Sequence, residues 1–182
     1  MYNYKRKSSF SDQIPTLGRI LLKLCVSILI GYFLFYLLKT YILYPHRMTD
    51  SSMAPSIKKD ERIFLSPLIR ESSLNYDKMV FALIPGSAEF SFAGRIQGKP
   101  GDRIQLKSKK VFRNGSQISS RTVKYSDTRI FDSHFSNRDN TPEYILKERE
   151  YFILCDNRDQ CMDSREYGSI ELNKIIAIKL GK

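Results

Sequence analysis

The chain has 182 residues, 42% of them hydrophobic, with a net charge of +11 and three cysteines. That length suits one modest domain with something added, and so few cysteines exclude a disulfide-built scaffold. The positive excess is not the footprint of a nucleic-acid binder: residues 1–47 hold seven Lys and Arg against one acid, and the remainder is only +5 with its acids interspersed. A mixed surface of this kind is ordinary solvated exterior and also suits an anionic lipid surface.

Residues 1–16 are polar, basic and serine-containing, and read as a cytoplasmic tail. Residues 17–44 (LGRILLKLCVSILIGYFLFYLLKTYILY) read as a membrane anchor. The uncharged centre spans 24–38, bracketed by Lys23 and Lys39, whose long side chains can reach the interface. The run is apolar on every face, unlike the stripe of a helix packed on a core. Tyr44-Pro45-His46-Arg47 follows, with no small-x-small cleavage site, so the anchor is expected to stay attached. Lys5, Arg6, Lys7, Arg19 and Lys23 precede the apolar centre, while Lys39 and Arg47 follow it. By the positive-inside rule the N-terminus lies in the cytoplasm and the bulk of the chain outside the cell membrane.

Residues 45–182 read as short strands. Candidates are RIFLS (62–66), KMVFALI (78–84), EFSFAGRIQ (89–97), RIQLK (103–107), KVFR (110–113), EYFILC (150–155) and KIIAIKL (174–180). Asn114-Gly115 signals a tight hairpin, and Gly98-Lys99-Pro100-Gly101-Asp102 a turn. Residues 114–149 are polar and irregular, as an insertion between core strands would be. The expected fold is mostly β: an N-terminal transmembrane helix followed by an antiparallel β-rich domain.

Catalytic chemistry has few places to start. A Ser-His-Asp triad needs a histidine, and His46 and His134 sit among nothing distinctive. No His, Cys and Asp cluster has the spacing of a metal site, and Cys161 has no base beside it. Cys155 and Cys161 lie six positions apart, and both a disulfide and two free thiols stay open for them. What remains is serine chemistry in MTDSSMAPSI (48–57), with a lysine as base. A lysine works that way only if burial lowers its pKa from about 10.4 toward neutrality.

Four boxes in order carry a resemblance to the type I signal peptidases, Ser-Lys dyad serine peptidases. Ser52-Met53-Ala54-Pro55 resembles their Ser-Met-x-Pro box, and Tyr76-Asp77 before MVF their short strand box. Arg95-Ile96-Gln97-Gly98-Lys99-Pro100-Gly101-Asp102 resembles Arg-x-x-Gly-x-Pro-Gly-Asp. Asp156-Asn157-Arg158-Asp159 with Asp163-Ser164-Arg165 and Gly168 resembles the last box. The resemblance implies cleavage of signal peptides from exported preproteins at the outer membrane face, with small residues read before the cut. It implies Ser52 as nucleophile, with its own N–H binding the oxyanion. Met53, Ile57, Phe92 and Ala93 would line the specificity pockets. Asp163 and Arg165 would form a buried pair that, with Ser164, fixes the Asp156 loop. No cofactor and no metal is implied, and partners beyond substrate and membrane lipid would be another signal peptidase or the export machinery.

The pattern breaks at the base. Gly94 stands where the family has its lysine, Cys161 where a serine holds that lysine's ammonium, and Cys155 where a glycine is usual. Asp50 stands two residues before the nucleophile, where a carboxylate pointing inward would oppose an oxyanion. Lys78 and Lys99 are the lysines that could stand in as base. The alternative is an inactive paralogue that binds signal peptides or associates with an active peptidase. A lysine restored at 94 is expected to project from the core face of its strand, with Phe90, Phe92 and Ile96.

Overall fold

The computed structural model describes residues 16–41, 43–87, 89–120 and 122–181. The basic tail falls outside the described residues, apart from Thr16. Two compact units divide the chain, residues 1–40 and 41–182. The first contains helix α1 (Thr16–Tyr41). Its stretch Leu17–Lys39 is long and apolar enough to cross a membrane, with none of it buried in protein. A helix apolar all round has no core here to enter, so lipid is its natural solvent, and the chain is membrane-anchored through it.

The second unit is built on antiparallel strands. Those of the main sheet are β1 (Tyr44–Arg47), β2 (Arg62–Ser66), β3 (Met79–Leu83), β4 (Ser91–Gly98), β9 (Glu150–Leu154), β10 (Ile170–Glu171) and β11 (Ile175–Lys179). The smaller sheet holds β5 (Arg103–Lys107), β6 (Lys110–Arg113), β7 (Ser116–Ile118) and β8 (Tyr144–Ile145). The first sheet runs β1-β2-β11-β3-β4-β9-β10 and the second β7-β6-β5-β8. Asn114 and Gly115, at φ 52° and 81°, make the tight β6–β7 turn that their pair predicts. Within the stretch read as an irregular insertion, β7 and β8 extend the small sheet on both sides.

Alternation distributes the core. On one face Val80, Ala82, Phe92, Ile96, Ile153 and Ile175 pack together. On the other, Met79, Phe81 and Ala93 pack with Met48, Met53, Ile57, Leu65 and Ala177. Phe152 and Leu154 join Ile104, Leu106, Val111 and Leu146 under the small sheet. Strand β9 is therefore covered on both sides, which is why EYFILC is a nearly unbroken apolar run. Burying each such side chain fully is worth about 1.5–3 kcal/mol.

Candidate active site

The segment 48–57 crosses the face of the main sheet as a loop. Met48 N–H donates to Glu61 O at 3.0 Å and Asp60 N–H to Met48 O at 2.8 Å, closing the loop at its base. Inside it, Ala54 N–H donates to Ser51 O and Ile57 N–H to Met53 O. This turn buries Met53 and Ile57 against Ala93 and Met79 and holds Ser52 between them. Ser52 is 7% exposed, and its Oγ is buried without a hydrogen-bond partner. Its backbone N–H donates to Asp50 Oδ1 at 2.8 Å.

Segment 155–165 clasps the same turn. Asn157 N–H donates to Ser52 O at 2.8 Å, and Asn157 Nδ2 to Ser51 O at 3.1 Å. Asp156 receives Arg95 Nε on both carboxylate oxygens at 3.0 Å, and Thr122 Oγ1 at 2.9 Å. Arg95 also donates to Asp77 O, tying β4 to the turn before β3. Farther along, Asp163 accepts Arg165 Nε at 2.8 Å and the Cys155 N–H at 3.0 Å. Both residues of that ion pair are almost wholly inaccessible, at 2% and 0%. Burial works against the Arg165 charge, but the Asp163 carboxylate beside it outweighs this and holds the guanidinium pKa above its usual value. Burial lowers that of Arg158, where it outweighs the attraction of Asp163 and Asp156. Ser164 Oγ accepts the Ile153 N–H, so the box also pins β9.

Position 94 is closed to a side chain. Gly94 pairs with Val80, and a Cβ built on it would meet Ile153 Cγ2 at 2.6 Å and the Leu154 carbonyl at 3.1 Å. Real Cβ atoms do not come within 2.6 Å of another side chain, so the space on the Cβ side of Gly94 is filled by β9. Cys155 and Cys161 are joined in a disulfide. Asp163 lies near both sulfurs, but they are bonded to each other and its oxygens are taken by Arg165 and Cys155 N–H, so the group offers no thiolate donors to a metal.

Of the substitute lysines, Lys99 holds its Nζ 5.1 Å over the Tyr76 ring, at the far end of β4. Lys78 is half-buried and lines a cleft of about 510 Å³ together with Ser56, Ile57, Met79 and Arg95. Met53, Ile57 and Ala93 come together, whereas Phe92 lies on the opposite face of β4 against Tyr167. Sequence reasoning passed over Thr122 and Lys124. Lys124 makes a parallel bridge to Asn157, donating its N–H to Asp156 O and accepting the Arg158 N–H. A single bridge in a polar stretch leaves no periodicity to read.

With this geometry in place, comparison with known proteins is decisive. A family profile described as signal peptidase, peptidase S26, matches residues 21–180. The chain belongs to that signal peptidase family. Signal peptidase I P of Bacillus subtilis subsp. natto is 26% identical over 140 residues, covering 76% of this chain and 75% of that protein. Signal peptidase I of Bacillus amyloliquefaciens is 26% identical over 151 residues, covering 83% and 80%. A crystal structure of a signal peptidase I from Enterococcus faecalis V583 aligns with 57% of this chain and 94% of its own, at 21% identity and a TM-score of 0.44. This member of the S26 signal peptidases is accordingly a serine endopeptidase of the type I signal peptidase class, with a mostly antiparallel β fold behind an apolar N-terminal helix.

Proposed function

We propose that this peptidase cuts signal peptides from exported preproteins through Ser52, at the outer face of the cell membrane that holds its anchor. The observation that carries the reading is the clasp on Ser52: its carbonyl is held by Asn157 N–H at 2.8 Å while Met53 and Ile57 root its turn in the core. A nucleophile so fixed can be presented in one orientation to a carbonyl, which is where positional catalysis begins. The attacking group is Ser52 Oγ, and the Ser52 N–H, which donates to Asp50 in the resting protein, is the donor that would bind the developing oxyanion. Met53, Ile57 and Ala93 pack together beneath its turn and would form an apolar wall for a small side chain before the cut once substrate opens it. Asp156, Asp163, Ser164 and Arg165 support the loop that holds Ser52. For the base, Lys78 is favoured over Lys99 because its cleft is shared with Ser56 and Ile57 of the Ser52 turn.

The test is cleavage of a preprotein by the full-length protein in detergent. Wild type releases the mature product, and Ser52→Ala does not. Lys78→Ala loses a large part of the rate, since general-base help is worth about 10²–10⁴-fold. Equal cleavage by wild type and Ser52→Ala would show that another group attacks.

Orientation has its own test. The positives concentrated before residue 24 put the N-terminus inside. Protease added to intact spheroplasts will therefore degrade the β-rich unit, and full protection of that unit would reverse the topology.

A further inference from the structure

We propose that Asp50 is a latch on the oxyanion donor of Ser52, engaged in the resting protein and displaced when a substrate carbonyl enters. The inference rests on Ser52 being the nucleophile, as read above.

The Ser52 N–H that would bind the oxyanion already donates to a carboxylate, Asp50 Oδ1, at 2.8 Å. That distance lies within the range of charge-assisted bonds, which are about twice as strong as neutral ones. One N–H cannot serve two anionic oxygens at full strength. An oxyanion brought to the same hydrogen would also face the carboxylate at a few ångströms, where like charges repel. The nucleophilic oxygen is closed as well: Ser52 Oγ is buried and has no hydrogen-bond partner. Both groups that must meet the substrate are thus shut in the same turn.

Asp50 is built to let go. It is exposed, and among the described residues its carboxylate makes this one hydrogen bond and no ion pair. Swinging it into solvent breaks nothing else. The rest of the turn is held independently, by the Met53 and Ile57 side chains and by Asn157 on the Ser52 and Ser51 carbonyls. A substrate strand that occupies the apolar wall could therefore push Asp50 aside without unfolding the nucleophile's turn.

The competing explanation is a plain turn cap, since Asp often accepts the N–H two residues on. The two differ in what they do to a tetrahedral adduct. The experiment is equilibrium binding of a peptide boronate ending in alanine to the full-length protein in detergent. Ser52 Oγ forms a bond to boron, boron goes from trigonal to tetrahedral and anionic, and the serine proton passes to buffer. The boronate oxygen then needs the Ser52 N–H. A single oxyanion donor is worth about 10²–10³-fold in rate. Asp50→Ala is expected to tighten the boronate at least about tenfold and to raise kcat/KM. Asp50→Asn keeps an acceptor for the turn without the charge, so it should tighten binding by less. Ser52→Ala abolishes binding in each background.

Melting temperature is followed in parallel. A cap role predicts a lower melting temperature and no gain in affinity in either Asp50 variant, and that result overturns the latch. If Asp50→Ala does not fold, Asp50→Asn decides alone by the same criterion. Boronate bound equally by wild type and Ser52→Ala would remove Ser52 as nucleophile and the latch with it. Ser52-dependent binding that ignores Asp50 removes the latch only.

Discussion

Replacing Arg165 with alanine will destabilise the β-rich unit by roughly 3–5 kcal/mol, the usual cost of stranding one partner of a buried ion pair. The Arg165 guanidinium donates to Asp163 at 2.8 and 3.0 Å, to Arg138 O at 2.8 Å and to Arg158 O at 2.7 Å. Its removal leaves the Asp163 carboxylate, which is wholly buried, with only backbone N–H donors from Cys155 and residue 165. The Arg138 and Arg158 carbonyls lose their guanidinium donors at the same time. Domains of this size are stable by only about 5–15 kcal/mol, so roughly a fifth or more of the total goes. Urea denaturation of the full-length protein measures it. Arg165→Lys keeps the charge but not the planar fork, and should fall between wild type and alanine. A loss for alanine below about 1 kcal/mol, the value of an exposed pair, would contradict the burial on which the expectation stands. This effect is on folding and holds whatever the rate of the peptidase.

Much of the main sheet was legible because its strands are long enough to show their pattern. Strand β4 alternates between two cores, and β9 is covered on both faces, so one reads as mixed and the other as continuous. Strand β1 was not legible. Tyr44-Pro45-His46-Arg47 contains a proline and shows no strand pattern where it follows the anchor. It forms because β2 supplies partners in register, and an edge strand tolerates proline. The two-residue strands β8 and β10 are too short for any period to appear. The serine and aspartate boxes lie about a hundred residues apart in the chain, and only their resemblance to a family joined them before Asn157 could be seen on Ser51 and Ser52. Asp50 was visible as an odd residue, yet the direction of its carboxylate depends on the turn. The bond between Cys155 and Cys161 was open from spacing alone, and the structure closes it.

Introducing a lysine at position 94 by a single substitution will fail, and the reason is steric. Sequence reasoning sees glycine at 94 as a lost side chain over waiting space. In the fold that space belongs to Ile153, whose Cγ2 sits 2.6 Å from where the new Cβ would be. A γ-methyl is fixed to its own Cβ and yields only by a rotamer change, and Ile153 is 0% exposed in a packed core. Overpacking of this kind costs about 1–3 kcal/mol, so even Gly94→Ala should destabilise the protein by that much. Ile153→Ala alone should cost about 2–5 kcal/mol for the cavity it leaves. Combined, the two changes compensate: the added Cβ enters the vacated volume, and the double variant should be more stable than the sum of the singles by about 0.5–3 kcal/mol. The Leu154 carbonyl at 3.1 Å still presses on the new atom, so compensation will be incomplete. The same logic extends to the base. Gly94→Lys alone should lower the melting temperature with no gain in preprotein cleavage. Gly94→Lys with Ile153→Ala relieves that clash, but it places the amine among Val80, Phe92 and Ile96, on the face of β4 opposite the Met53 and Ile57 turn that carries Ser52. Stability should therefore recover in part while preprotein cleavage stays unchanged, and a rise of about tenfold that Ser52→Ala cancels would place the amine on the Ser52 side of β4. Cys161 is better left alone in this design, because Cys161→Ser would open the disulfide to Cys155 along with restoring a hydroxyl. A Gly94→Ala variant as stable as wild type would show that Ile153 gives way freely and that the space at position 94 is not closed.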